Sequence, residues 1–169
     1  MSFFIWLEGT PVSVWIRESP KLWAFPFILY LHTLGLALIA GLSSAIALWL
    51  LVQPAALPRT PFLRFFPWMW TGLAINVVSG VALLLAYPAK ALTNPVFYLK
   101  LVAIAIAVGI VQWLQKQWLT ADRGATMATD ASFRRAAWAL LGLWLVATTA
   151  GRLLAYTYSI LMARDASFY

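Results

Sequence analysis

The chain has no cysteine and only one histidine among its 169 residues. The absence of thiols excludes disulfides, thiolate metal sites, covalently attached c-type haem and cysteine nucleophiles. One imidazole, His32, without thiolates or acids beside it, is too little for a zinc or copper site. The scarcity of these ligands therefore argues against metal catalysis built from the chain's own side chains.

Charge is also scarce, because Asp, Glu, Lys and Arg make up 10% of the residues, against about 25% in soluble domains. The acidic residues all lie outside the long apolar runs; they are Glu8, Glu18, Asp122, Asp130 and Asp165. Proton-coupled transport usually needs a carboxylate inside the membrane. No set of nucleophile, base and orienting acid is evident either. These absences favour a protein that is not an enzyme on its own.

Apolar residues are abundant: they make up 63% of the chain, and its mean hydropathy is +0.84. Four runs, at about 23–52, 65–86, 95–118 and 136–161, each exceed the ~20 residues that cross ~30 Å of hydrocarbon. Short connections between successive spans force an up-down-up-down arrangement. The sequence therefore predicts an all-α, polytopic membrane protein with one membrane domain over residues 1–169, embedded in the lipid bilayer.

A short amphipathic segment precedes the first run. Thr10 is a suitable N-cap and Pro11 suits the first helical position, which predicts a helix over residues 11–18. Val12, Trp15 and Ile16 would share one face of that helix. Such a helix is expected to lie on the membrane surface.

The basic residues predict an orientation. We call side A the face at which the first run begins and the fourth ends, and side B the opposite face. Side A has Arg17, Lys21, Lys90 and Arg164, and side B has Arg59, Arg64, Lys116, Arg123, Arg134 and Arg135. The positive-inside rule then places side B in the cytoplasm and both termini in the periplasm. The net charge of +7 is thus explained by topology and lipid headgroups, and no nucleic-acid partner is expected.

Tryptophans cluster towards side B, at Trp68, Trp70, Trp113, Trp118 and Trp138. Indole rings are enriched at the level of the lipid headgroups. We therefore expect these five residues to form an aromatic belt.

Arg152 is the exceptional residue of the fourth run. A guanidinium stays protonated at any relevant pH, and a charge within a span usually faces a bundle interior or a cavity. The spans offer it no acid, so its acceptor would be a carbonyl, a hydroxyl, an aromatic face, a bound anion, a lipid or another subunit.

Polar residues converge in the half of the bundle near side A. At 1.5 Å per residue, His32 and Arg152 both lie roughly 14 Å below side A, and Lys100 lies roughly 7 Å below it. Asn76 lies on a stripe of small and polar residues with Gly72, Ser79 and Gly80. These depths predict a site made of His32, Arg152, Lys100 and Asn76.

Each of these residues also has a purely structural interpretation. His32 can be a hydrogen-bonded packing residue, Lys100 can extend to the interface, and Asn76 can join two helices. The row Ala37, Gly41 and Ala45 is expected to be a face for close helix packing.

Three ligands fit the predicted site. Haem b would take His32 as its axial metal ligand and Arg152 or Lys100 on a propionate, although a second histidine is lacking. A quinone would accept a hydrogen bond from His32 at a carbonyl oxygen, and an anionic lipid would place its headgroup there. The alternative is an accessory subunit of a larger membrane complex, such as an electron-transfer complex, or a homo-oligomer. In that case Arg152 would meet an acid or cofactor on its partner.

Several short motifs resemble those of an uncharacterised family of small four-helix bacterial inner-membrane proteins. They are Arg17-Glu18-Ser19, Phe25-Pro26, His32-Thr33-Leu34-Gly35-Leu36-Ala37 with Gly41, Asn94-Pro95-Val96-Phe97 to Lys100-Leu101, and Gly151-Arg152 with Tyr156. The resemblance implies a four-helix fold in the inner membrane and no assigned activity. Many members of that family carry an acid three residues before the histidine, where this chain has Leu29, and an Asp-Leu-Arg where it has Ala47-Leu48-Trp49.

Overall fold

The computed structural model describes residues 6–52, 60–120 and 131–166, with side chains in the last range as far as Leu154. Arg59, Arg123 and the side chains of Tyr156 and Arg164 therefore lie outside the described part. Within it, four helices are long and apolar enough to cross a membrane. They are α2 (Phe25–Val52), α3 (Phe65–Ala86), α5 (Pro95–Thr120) and α6 (Ala131–Ala166), and α1 (Pro11–Glu18) and α4 (Pro88–Leu92) are short. The predicted all-α bundle of four spanning helices is confirmed.

The helix bounds differ from the predicted ones mainly at α6 and α4. α6 begins at Ala131 instead of about residue 136, because Phe133 is buried and its ring lies 5.0 Å from that of Trp113. This contact anchors a first turn whose Arg134 and Arg135 are exposed. The short connection between α3 and α5 contains the single helical turn of α4, which was not predicted from the sequence.

α1 packs against the side A end of α3. The side chain of Thr10 accepts a hydrogen bond from the Ser13 amide at 3.4 Å, as expected of an N-cap. Ser13 and Ile16 are buried, and the Ser13 hydroxyl donates to the carbonyl of Ala86 at 3.5 Å. Val12 and Trp15 remain exposed. Of the predicted surface face, Ile16 thus turns into the bundle and the other two residues face outward.

The half near side B has a tightly packed aromatic core. Trp118 is 3% exposed, and its ring centroid lies 5.4 Å from that of Trp49 and 6.3 Å from that of Phe66. The prediction that Trp118 belongs to an aromatic belt was therefore wrong, because its helix face is directed into the bundle. In the same half, Trp70 donates through Nε1 to Oε1 of Gln115 at 2.7 Å and so joins α3 to α5.

The middle of α2 contains a π-helical segment, Ala37–Gly41, with a wider turn than an α-helix. Just beyond it, the Ser43 hydroxyl donates to the carbonyl of Ile39 at 2.6 Å and accepts from Nε1 of Trp144 at 2.8 Å. This buried bond joins α2 to α6. A Cβ added at Gly41 would meet nothing within 4 Å. The expected packing role of Gly41 was therefore wrong, since this position faces open space.

α2 and α3 approach each other closely at Gly35 and Gly72. A Cβ built on Gly35 would lie 2.6 Å from the carbonyl oxygen of Gly72 and 2.7 Å from the amide nitrogen of Asn76. Only glycine lets two backbones approach this closely. Because α5 also packs along α6, the half near side A consists of two helix pairs, α2 with α3 and α5 with α6.

Candidate ligand-binding site

A cavity of about 500 Å³ lies between the two helix pairs in the half near side A. Its walls are mostly apolar: Phe25, Leu29, Leu73, Val77, Val81, Leu83, Leu84, Phe97, Leu101, Ile104 and Leu154. Its polar lining consists of His32, Asn76, Tyr87, Lys90 and Lys100. An apolar cavity with a few convergent polar groups is the usual form of a small-molecule site.

His32 is fixed to α3 through one ring nitrogen. Its Nδ1 lies 3.2 Å from the main-chain carbonyl oxygen of Asn76 and 3.2 Å from Oγ of Ser79. A carbonyl oxygen only accepts, so Nδ1 carries the proton and donates. The Ser79 hydroxyl donates to the carbonyl of Ile75 at 2.6 Å, which leaves its lone pairs for the imidazole. In the neutral ring, Nε2 is then the acceptor.

Lys100 crosses the cavity to meet that acceptor. Its Nζ lies 3.4 Å from Nε2 of His32, and its stem lies along Gly151 of α6, with Nζ 3.7 Å from a Cβ built there. One interpretation of the sequence had the side chain of Lys100 extending to the membrane interface. The side chain instead points across the cavity to His32. The contact is longer than the 2.7–3.2 Å of a strong hydrogen bond, so it is weak. An ammonium has three donors, and among the described side chains only His32 is seen to take one of them.

Asn76 bonds to the main chain of His32. It is 7% exposed, and its Nδ2 donates to the main-chain carbonyl of His32 at 2.8 Å. α2 and α3 are therefore joined reciprocally, with the ring of His32 bonded to the main chain at Asn76 and the amide of Asn76 bonded to the main chain at His32. This arrangement fits the structural interpretation of Asn76, and it also places the residue in the cavity wall.

Arg152 is not brought to the cavity. Its neighbour Gly151 lines the wall, but Arg152 itself is exposed on the outward face of α6. One residue of helix rotation, about 100°, separates the two positions. That Arg152 binds a ligand stays a prediction, and such a ligand would lie on the outer surface of α6, outside the cavity.

The electrostatics of the cavity favour an oxygen acceptor. Two lysines line it, and no acidic residue of the described ranges does. Because Nδ1 of His32 is bonded to Asn76, the natural donor to a carbonyl or an anion is Lys100, and Nε2 of His32 is an acceptor beside it. The expected donation from His32 to a quinone carbonyl does not match this tautomer.

Haem b fits the site less well. Axial ligation would use Nε2 of His32, the atom that Lys100 faces at 3.4 Å. The arrangement therefore favours an organic oxygen over iron as the partner of this pair.

Among the lining residues that were not predicted as part of the site, four lie close to its polar groups or at its end. Gly80 makes room for the imidazole, since a Cβ built there would lie 3.2 Å from Cε1 of His32. Gly151 lies beside the stem of Lys100, where a Cβ would be in ordinary contact at 3.7–3.9 Å, and Tyr87 and Lys90 line the end nearest side A. Gly80 was recognisable from its position one turn from Asn76, whereas the other three depend on tertiary packing.

Comparison of the chain with protein-family models, with curated proteins and with solved structures found no match. The resemblance to an uncharacterised inner-membrane family therefore stays a prediction, and the functional conclusion rests on the geometry of the cavity.

Proposed function

We propose that this integral membrane protein binds an amphiphilic molecule whose polar head presents an oxygen acceptor to Lys100 and whose apolar part fills the cavity. A quinone carbonyl and an anionic headgroup share this chemistry. The protein acts as a binding module, and no catalytic step is assigned to its own side chains.

The observation that carries the proposal is the pairing of Lys100 with His32 inside an apolar cavity. An ammonium in such surroundings is costly unless it is hydrogen-bonded. The weak 3.4 Å contact supplies one partner, and the ammonium, which lines the cavity, has two further donors that a ligand there could engage. The absence of a lining acid in the described part of the chain supports an anionic or carbonyl oxygen as the missing acceptor.

Replacement of Lys100 by methionine tests this proposal, because methionine keeps the length of the side chain and removes the donors. A hydrogen bond to a charged group contributes about 1.5–3 kcal/mol, so we expect about tenfold or greater loss of ligand. The protein is extracted directly into lipid nanodiscs, and its small molecules are quantified by mass spectrometry. Quinones, fatty acids and phospholipids are each normalised to protein.

Lys116→Met is the matched control, since Lys116 lies on the same helix near side B. The proposal requires one class of molecule to be enriched with the native protein and with Lys116→Met, and depleted with Lys100→Met. Identical extracts from all three proteins would reject it.

Arg152 favours a second candidate function, that of a subunit in a larger membrane complex. It is an exposed cation on the outer face of a spanning helix. None of the four spans contains an acid, so a second copy of the chain offers it no carboxylate within the membrane. A different protein with an acid at this depth would supply one.

The test of this second candidate compares Arg152→Gln with Arg135→Gln, an exposed arginine near side B. Removing one member of a desolvated ion pair costs about 2 kcal/mol or more, hence more than about tenfold in association. Native electrophoresis of mildly solubilised membranes should show a large complex that Arg152→Gln alone weakens. Migration of the native chain at its own mass would eliminate this candidate.

A further inference from the structure

The cavity reaches the outer surface of the bundle between α3 and α5. Val77 and Val81 of α3 and Leu101 of α5 line the cavity, and they are 55%, 52% and 46% exposed. Val78, which follows Val77 on α3, is 72% exposed, and Val102, which follows Leu101 on α5, is 56% exposed. Neither of them lines the cavity. The cavity wall therefore turns into the outer, apolar surface at these residues.

This opening has defined upper and lower limits. Towards side B, the Trp70–Gln115 hydrogen bond of 2.7 Å closes the gap between α3 and α5. Towards side A, the turn of α4 spans the two helices, and its Lys90 and Ala91 form part of the lining. The opening thus faces sideways, at the depth of the hydrocarbon chains.

We infer that the ligand is a long-chain lipid-borne molecule, which enters from the bilayer through the mouth formed by Val77, Val81 and Leu101 and leaves its chain there. This inference rests on the proposed function of the cavity and names its class of ligand. A water-soluble ligand would have to cross apolar side chains with its polar head exposed, which is unfavourable. A lipid brings its head to Lys100 while its chain stays among apolar groups.

Photocrosslinking in nanodiscs of phosphatidylcholine tests the route. One arm uses palmitate with a diazirine in its chain, and the other uses a quinone with a diazirine in its prenyl chain. Crosslinked residues are mapped by mass spectrometry. We expect crosslinks at the mouth residues. The probe with the higher yield, palmitate or quinone, then identifies whether the polar head bound by Lys100 is a carboxylate or a quinone carbonyl.

Val81→Trp should obstruct the mouth and lower the crosslinking yield about tenfold, because the larger ring occupies the space through which the ligand chain would pass. Val78→Trp is the control, because the same ring is then placed on the outer surface beside the mouth. Both positions are exposed, so neither change threatens the fold. Equal yields from Val81→Trp, Val78→Trp and the native protein would overturn the inferred route.

The variant Lys100→Met separates this outcome from failure of the proposed function. Crosslinks that survive Lys100→Met unchanged would contradict the head-group contact itself. Crosslinks that are lost with Lys100→Met but kept with Val81→Trp would leave the cavity as a binding site and overturn only the lateral mouth.

Discussion

Gly35→Ala is expected to lower the free energy of unfolding by about 3 kcal/mol, the upper part of the range for overpacking. The added methyl would lie 2.6 Å from the carbonyl oxygen of Gly72 and 2.7 Å from the amide nitrogen of Asn76. Both neighbours are main-chain atoms, so no side-chain rotation relieves the clash and the two helices must separate. The measurement is thermal unfolding in detergent, followed by circular dichroism.

Gly109→Ala and Gly142→Ala are the matched controls for this prediction. A Cβ at either position would meet nothing within 4 Å. Alanine also favours the helix over glycine by up to about 1 kcal/mol, so the controls should be neutral or stabilising. If Gly35→Ala unfolded at the same temperature as these controls, the close approach of α2 and α3 would be contradicted.

Asn76→Asp is expected to be at least as damaging, although the two side chains have nearly the same shape. The Nδ2 group that donates to the carbonyl of His32 at 2.8 Å would become an oxygen facing an oxygen. A buried carboxylate without a donor costs about 3 kcal/mol or more. Thermal unfolding would show the loss of stability, and ligand retention should fall as well, because the wall that fixes His32 is disturbed.

Gln115→Glu makes the matched comparison, since it is the same change from amide to carboxylate. The amide oxygen of Gln115 accepts from Trp70 at 2.7 Å, and a carboxylate oxygen accepts equally well. This variant should therefore keep nearly the native stability. Similar losses from both variants would show that the direction of the hydrogen bond at Asn76 is not what matters.

Much of the fold could be predicted from the sequence, because hydrophobic length and turn residues determine spanning helices directly. The α3 bounds and the Thr10 cap agree with the predictions. The early start of α6 was missed, since Arg134 and Arg135 suggested a loop, whereas the burial of Phe133 against Trp113 stabilises a further turn. A tertiary contact of that kind leaves no local signal.

The site was predicted in part. Depth alone brought His32, Lys100 and Asn76 to one half of the bundle, where they line one cavity. Depth does not give the rotation about the helix axis, and for that reason Arg152 was grouped with them although it is exposed and does not line the cavity. The tautomer of His32 likewise depends on a main-chain carbonyl of another helix, which sequence patterns do not reveal.

Two hydrogen bonds join helices in the half near side B, away from the cavity: Trp144 to Ser43 and Trp70 to Gln115. Each bond joins one helix pair to the other without using a residue that lines the cavity. Substitutions in the cavity wall can therefore alter what is bound while these two links between the helix pairs stay in place.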